Sequence, residues 1–310
     1  MTLNHYLAIA MIDETTLSDW SAGPSAAEDQ KCSNAESAVR RAVSTNATLA
    51  AGSVRVFTQG SYASKTNVRL DSDVDICVCR YSQFFYELPT IGAAPAAYGI
   101  VPVTISFSNY KTDVGAALVS ELGNDSVKRG NKAFDVHANT YRVDADVVPA
   151  FEHRRYTGFD SRGLPLFHSG IKIISDSGEV IINWPQQTHE NGIAKNNRTS
   201  RMYKRLIRIL KRVRNEMQAK NVSEAENIAS FLIECLVWNT PDNLLTQSTY
   251  SAALRNILLH TYNATLNQQA CNEWGEVNEL MYLFRDGVKP WTREQANAFI
   301  GAAWRHIGFG

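Results

Sequence analysis

The sequence predicts a mixed α-β protein of two lobes, a strand-rich core built on a mixed, twisted sheet followed by a helical lobe. Apolar residues alternate at period two through Val54 and Val56, through Val74, Ile76 and Val78, and again from Tyr141 to Val148. From about Arg198 the spacing becomes helical and stays so almost to the C-terminus. With 310 residues and 44% hydrophobic content the chain buries a substantial core, and roughly 150 residues per domain gives one or two domains. We expect residues 1–197 to form the core with an N-terminal helix, and residues 198–310 to form a helical lobe that closes over it.

Residues 25–51 are rich in Ala and Glu, with Val39 and Val43 four apart, which suits a helix ended by Gly52-Ser53. Strands at Val54–Val56 and Val74–Val78 flank a turn-rich insert, Gly60-Ser-Tyr-Ala-Ser-Lys-Thr66. Residues 89–104, with Pro89, Pro95, Pro102, Gly92 and Gly99, read as a loop leading to a strand across Thr104–Phe107. Tyr141–Val148 reads as another strand, closed by Pro149, and Ile171–Ile174 with Val180–Ile182 as a hairpin around Ser-Asp-Ser-Gly. Turn signals at Asn239–Asn243 and Asp286–Pro290 divide the helical region.

Composition excludes several classes. Thirty-one basic residues balance thirty-one acidic ones, so no net field draws the chain to nucleic acid or an anionic membrane, and any basic site is local. Cys32, Cys77, Cys79, Cys235 and Cys271 are an odd, scattered set, which reads as reduced core thiols of a cytoplasmic protein. The N-terminus lacks the basic flank and unbroken apolar segment of a signal peptide, and no stretch approaches the ~20 apolar residues of a membrane span.

The chemistry concentrates in Gln59–Cys79. At period two Asp73 and Asp75 share one face of a strand while Val74, Ile76 and Val78 take the other. Two adjacent carboxylates repel, and a bound divalent cation removes the conflict. Oxygen-only ligands in small number favour Mg²⁺ or Mn²⁺ shared with substrate phosphates. The Gly60-Ser61 turn supplies close backbone approach, N–H groups and a hydroxyl for a triphosphate. On the second strand Asp144 and Asp146 share a face, and Asp146 is the better third carboxylate for two ions, one at the attacking hydroxyl and one at the leaving pyrophosphate. Asp73 and Asp75 then serve both ions, and Asp146 the acceptor-side ion. An isolated D-x-D is more often a solvated edge strand; the Gly-Ser turn upstream argues against that here. His137, His153, His168 and His189 have no metal-like spacing, and Trp184, Tyr203 and Tyr156 are first of all core aromatics.

The stretch GSYASKT followed by LDSDVDI and then VDADVVPAF resembles the polymerase-β-type nucleotidyltransferase superfamily. Within it the match is best to the branch holding oligoadenylate synthases, cyclic GMP-AMP synthases and the bacterial CD-NTases (cGAS/DncV-like, CdnE-like) of CBASS anti-phage signalling. The segments NWPQQTHENGIAKNNRTSRMYKRLIRILKRVRNEM and SFLIECLVWNTPD also resemble the bacterial CD-NTases, so the resemblance covers roughly residues 55–245. It implies the bilobed polymerase-β-like fold and a synthase that joins NTPs, with two Mg²⁺ or Mn²⁺ ions, into a cyclic dinucleotide or small cyclic oligonucleotide sensed by a downstream effector.

Arg201, Lys204, Arg208 and Lys211 line one flank of the basic helix, opposite the apolar stripe of Tyr203, Leu206, Ile207, Leu210, Val213 and Met217. Family resemblance assigns triphosphate binding to a lysine of this helix, at Lys211 or alternatively Lys204, and to Ser230 opening the next helix; with Ser61 these would hold phosphates between the lobes. We expect a monomer that needs no DNA, RNA or membrane. The rival readings are an RNA-tailing or tRNA nucleotidyltransferase, against which the lack of a basic RNA-binding stripe counts, and a catalytically silent nucleotide-binding module.

Overall fold

The computed structural model describes residues 11–68, 73–104, 106–285 and 289–309. In chain order the elements are α1 (Glu14–Ser21), α2 (Ala26–Thr45), α3 (Ala47–Ala50), β1 (Val54–Gln59), α4 (Gly60–Ser64), β2 (Val74–Glu87) and α5 (Phe107–Leu122). Then follow β3 (Val127–Arg129), β4 (Phe134–Val136), β5 (Ala145–Phe159), β6 (Pro165–Ile174) and β7 (Val180–Asn183). The chain closes with α6 (Pro185–Arg198), α7 (Met202–Ala219), α8 (Ser230–Trp238), α9 (Asp242–Leu245), α10 (Tyr250–Thr265), α11 (Gln268–Cys271) and α12 (Arg293–Ile307).

One compact unit comprises Ser25–Ala63 and Ser72–Gln186. Its seven-stranded sheet runs β1-β2-β5-β4-β3, with β6 pairing β5 and β7 pairing β6. The long strand β5 lies parallel to β2 and antiparallel to β4 and β6, which makes the sheet mixed. Val74, Ile76, Val78, Val147 and Phe151 join Val39 and Val43 of α2 and Tyr110, Val114 and Leu118 of α5 in one apolar core. Helix α2 is opened by a reciprocal Ser25–Glu28 capping box.

Several sequence expectations are revised in this unit. Among the described residues of the strand expected at Thr104–Phe107 none is in a strand: Ser106 Oγ accepts the Asn109 N–H (3.3 Å), caps the chain there and starts α5 at Phe107. Pro149 does not close its strand. It pairs with Val78 at a point where β4 has ended and β6 has not begun, so β5 has a partner on one side only and the missing N–H is tolerated. The helix expected over 25–51 is broken at Asn46, whose side chain caps α3, and the turn at Gly60 continues into the short helix α4. The hairpin around residues 175–179 forms as expected.

The other unit comprises residues up to Pro24, the segment Ser64–Asp71 and Gln187–Gly310. Its core gathers Leu17 of α1, the apolar stripe of α7 and the inward faces of α8, α10 and α12. Tyr203, Leu206, Ile207, Leu210, Val213 and Met217 are all buried, as the helical projection requires. Buried polar links tie the remaining pieces in. Glu14 accepts from the backbone of Tyr250 and Ser251 and so caps α10, while Lys195 donates to the carbonyls of Trp238, the last residue of α8, and of Thr240 just past it (2.7 Å each). These links place α1 and α6 with the C-terminal helices, whereas the expected division after residue 197 falls inside the last turn of α6. The turn expected at Asp286–Pro290 lies largely outside the described residues, which omit 286–288.

Candidate active site

The carboxylates are arranged by strand register. Asp75 on β2 is the direct partner of Asp146 on β5, and neighbouring strands with aligned residues project those side chains to the same face. Asp73 immediately precedes β2, two residues from Asp75 and so on the same face. The alternate residues Val74 and Ile76, fully buried, pack into the core with α2 and α5. Apolar residues on one side of each strand thus fix which way the acids point.

The three acids disturb one another. Burial, reinforced by Asp146 and Asp73, lifts the Asp75 carboxyl to about 6. Burial also raises Asp146, with further repulsion from Asp73 and Asp135, and raises Asp73, with repulsion from Asp144 and Asp135. Such shifts mark a place where negative charge lacks its counter-charge. Among the described residues no three acidic, thiol or imidazole side chains already converge on one ion-sized point. An all-oxygen donor set with mutual repulsion fits a hard divalent cation, which Asp73, Asp75 and Asp146 would hold together with substrate oxygens.

Asp144, the competitor of Asp146, is exposed and lies ahead of β5, and its Oδ1 accepts the Ala138 N–H at 2.7 Å. That bond closes the loop before the strand. The Gly-Ser turn meets the acids directly: Gly60 has φ +66°, and a Cβ there would lie 2.2 Å from Asp75 Oδ2. Only glycine fits, on both counts. Ser61 follows, half-buried, in the first turn of α4.

The other expected residues belong to the helical unit. Lys211 is buried, not on an exposed flank, and its ammonium donates to Glu234 Oε1 (2.7 Å) and to the Thr66 carbonyl (3.1 Å). Thr66 Oγ1 also donates to Glu234 (2.7 Å), so one buried carboxylate is shared by a lysine and a threonine. Lys204 is half-buried, and burial, with Arg208 and Lys65 nearby, holds its ammonium below the usual lysine range. Arg208, which donates to the carbonyls of Ser21 and Lys65 (2.7 Å each), is pushed down to about 10, chiefly by burial. Ser230 does open α8, with its Oγ taken by Arg214 Nη2 at 3.1 Å. Trp184, Tyr203 and Tyr156 are buried, and all five cysteines are buried thiols outside any disulfide.

Residues 190–308 match the family model of the cGAS/DncV-like nucleotidyltransferase C-terminal helical domain. Across nearly its whole length the chain is 39% identical to a cyclic dipyrimidine nucleotide synthase CdnE of Cecembia lonarensis, covering 97% of this chain and 100% of that protein. It is 38% identical to a cyclic dipyrimidine nucleotide synthase CdnE of Legionella pneumophila, over 95% of this chain and 97% of the relative. The chain belongs to the CD-NTase family. A solved CD-NTase structure, the Elizabethkingia meningoseptica CdnE cyclic dinucleotide synthase with GTP and Apcpp, superposes with a TM-score of 0.78 at 34% identity, covering 96% of this chain and 99% of that one.

As a CD-NTase the protein is a nucleotidyltransferase whose reaction depends on divalent metal, and its helical unit accounts for the matched C-terminal domain. No helix among the described residues is long and apolar enough to cross a membrane. Two acids of this CD-NTase escaped the sequence reading. Asp135 sits in Phe134-Asp-Val136, the same apolar-acid-apolar triplet as Val74-Asp-Ile76 and Ala145-Asp-Val147, and that likeness was the available signal. Glu234 gives no such signal, because an acid inside the apolar run of α8 declares its buried partner only in three dimensions.

Proposed function

We propose that this CD-NTase joins NTPs by successive nucleotidyl transfers, each releasing pyrophosphate, into a cyclic dinucleotide or small cyclic oligonucleotide that serves as a second messenger in anti-phage defence. The observation that carries the reading is the pairing of Asp75 with Asp146 across β2 and β5, with Asp73 on the same face and Gly60 against the Asp75 carboxylate. The carboxylates of Asp73, Asp75 and Asp146 would hold two Mg²⁺ or Mn²⁺ ions, which neutralise charge on the triphosphate and lower the pKa of the acceptor hydroxyl. Gly60 leaves room for a phosphate beside the carboxylates, and Ser61 donates to a phosphate oxygen. Lys204 supplies the outer cation, since its neighbours Arg208 and Lys65 form a positive group that a polyphosphate would relieve. Lys211 and Ser230 complete the phosphate-binding set; the pairing of Lys211 with Glu234 and Thr66 supports a role in fixing the segment that follows Ser61.

The acceptor is the hydroxyl of a second nucleotide. Its oxygen attacks the α-phosphorus as the bond to pyrophosphate breaks, and the same chemistry repeated within the linear intermediate closes the ring. NTPs are therefore the substrates, a downstream effector reads the product, and the enzyme works as a cytoplasmic monomer without nucleic acid. An RNA-tailing enzyme and a silent binding module are not favoured, because the relatives are named as cyclic nucleotide synthases.

The test is to supply the four NTPs with Mg²⁺ or Mn²⁺, one of them labelled at the α-phosphate in each reaction, then treat with phosphatase and separate the products. A small phosphatase-resistant nucleotide is expected, and the labels that enter it identify the bases. A ladder formed only on added RNA, or no product under any condition, contradicts the proposal.

A further inference from the structure

We infer that Asp135 is a fourth carboxylate of the acceptor-side cation site, acting through water on the ion that Asp146 holds. The inference rests on the reading of Asp73, Asp75 and Asp146 as the divalent-cation site. Register places five polar residues in one row across five strands: Gln59 pairs with Asp75, Asp75 with Asp146, Asp146 with Asp135, and Asp135 with Lys128. Aligned residues in adjacent strands carry their Cβ atoms about 4.5–5.5 Å apart on one face. Asp146 is therefore flanked by a carboxylate on each side.

The neighbours of Asp135 confirm its direction. Phe134 and Val136 are buried, and the Phe134 ring fills the space above Gly115 of α5, where a Cβ would come within 2.6 Å of it. Asp135, between them in alternation, faces the side of the sheet that bears the other acids. It is close enough to act electrostatically on both Asp73 and Asp146. Acids directly opposed across strands destabilise a sheet, so three in a row call for a bound cation.

The rival account makes Asp135 an ordinary cross-strand partner of Lys128. No ion pair joins the two among the described residues, and Lys128 is exposed while Asp135 is half-buried. The spacing also decides the kind of contact. Asp135 and Asp75 are two strands apart, about 9–10 Å, too far to ligate one ion together, so Asp135 reaches only the ion beside Asp146. Mg²⁺ retains several of its waters, and a carboxylate at that distance holds one of them. Residues that orient metal ligands from this position change affinity by about 10- to 100-fold.

The test is Mn²⁺ binding to the nucleotide-free enzyme, followed by the loss of the free-Mn²⁺ electron paramagnetic resonance signal, beside the Mg²⁺ dependence of the steady-state rate. For Asp135→Asn we expect the Mn²⁺ dissociation constant and the half-saturating Mg²⁺ concentration each to rise about tenfold, with the melting temperature without metal unchanged or higher. Lys128→Met should leave both metal constants at the wild-type value. Unchanged metal constants in Asp135→Asn, or the same loss in Lys128→Met, overturn the inference. The Asp73→Asn/Asp75→Asn double variant separates the two levels: it should bind no Mn²⁺, and wild-type binding by it overturns the site reading itself. A dead double variant beside an unaltered Asp135→Asn overturns only the role of Asp135.

Discussion

Asp75 sits at the centre of the clustered acids, two residues after Asp73 and opposite Asp146. Its carboxyl is lifted to about 6 by burial and by its acidic neighbours, against an ordinary value of 3.8. Between about pH 4 and pH 6 the folded chain therefore holds a proton that the unfolded chain has released, so metal-free stability falls as pH rises through that window. Mg²⁺ competes with that proton, and its gain in melting temperature should be larger at pH 7 than at pH 5, a difference that calorimetry measures directly. Asp75→Asn should raise the metal-free melting temperature at pH 7 while lowering product formation by about a thousandfold or more. Loss of both stability and activity would instead mark Asp75 as structural. The placement of Asp75 and Asp146 on strand faces could be read from the sequence, because alternation on a strand translates directly into a face. Asp135 was not, since its strand is three residues long and shows too little alternation to be recognised alone.

At the scale of the element, one local device adjoins the acids and another lies within the helical unit. Gly60 turns the end of β1 into α4 with a positive φ and lies against Asp75, so Gly60→Ala both strains the backbone and pushes the carboxylate aside. We expect a loss of about 1–3 kcal/mol in stability and a larger proportional loss in rate; a stable and fully active Gly60→Ala variant would remove the turn from the site. The second device is the pair Lys211–Glu234 between α7 and α8. Lys211→Met strands a buried carboxylate and should cost about 3–5 kcal/mol, measured by chemical denaturation. Adding Glu234→Leu should restore much of that stability. Activity that stays lost in the restored protein assigns Lys211 to substrate phosphates, and activity that returns assigns it to holding the fold. The amphipathic stripe of α7 could be read from spacing, but the burial of Lys211 could not, because its partner acid is remote in sequence and buried among apolar residues.

For the whole molecule, the order of strands first and helices last was visible in the hydrophobic period, and it is the order of the CD-NTase fold. What the period could not show is which pieces pack together. Helix α1 joins the C-terminal helices because Leu17 enters their core and because Glu14 caps α10, a contact between residues more than two hundred positions apart. Strand β5 outlasts Pro149 because the neighbouring strands are staggered there, a fact of topology that no local reading contains. The same topology aligns Asp75 with Asp146 and so brings two separate acidic motifs side by side. The most direct measurement is the ratio of pyrophosphate released to phosphatase-resistant nucleotide formed, compared between wild type and an equally folded Asp73→Asn/Asp75→Asn variant. The wild type should release one pyrophosphate per phosphodiester bond, two for a cyclic dinucleotide, and the variant should give neither product. Pyrophosphate without a resistant nucleotide, or undiminished synthesis by the variant, would contradict it.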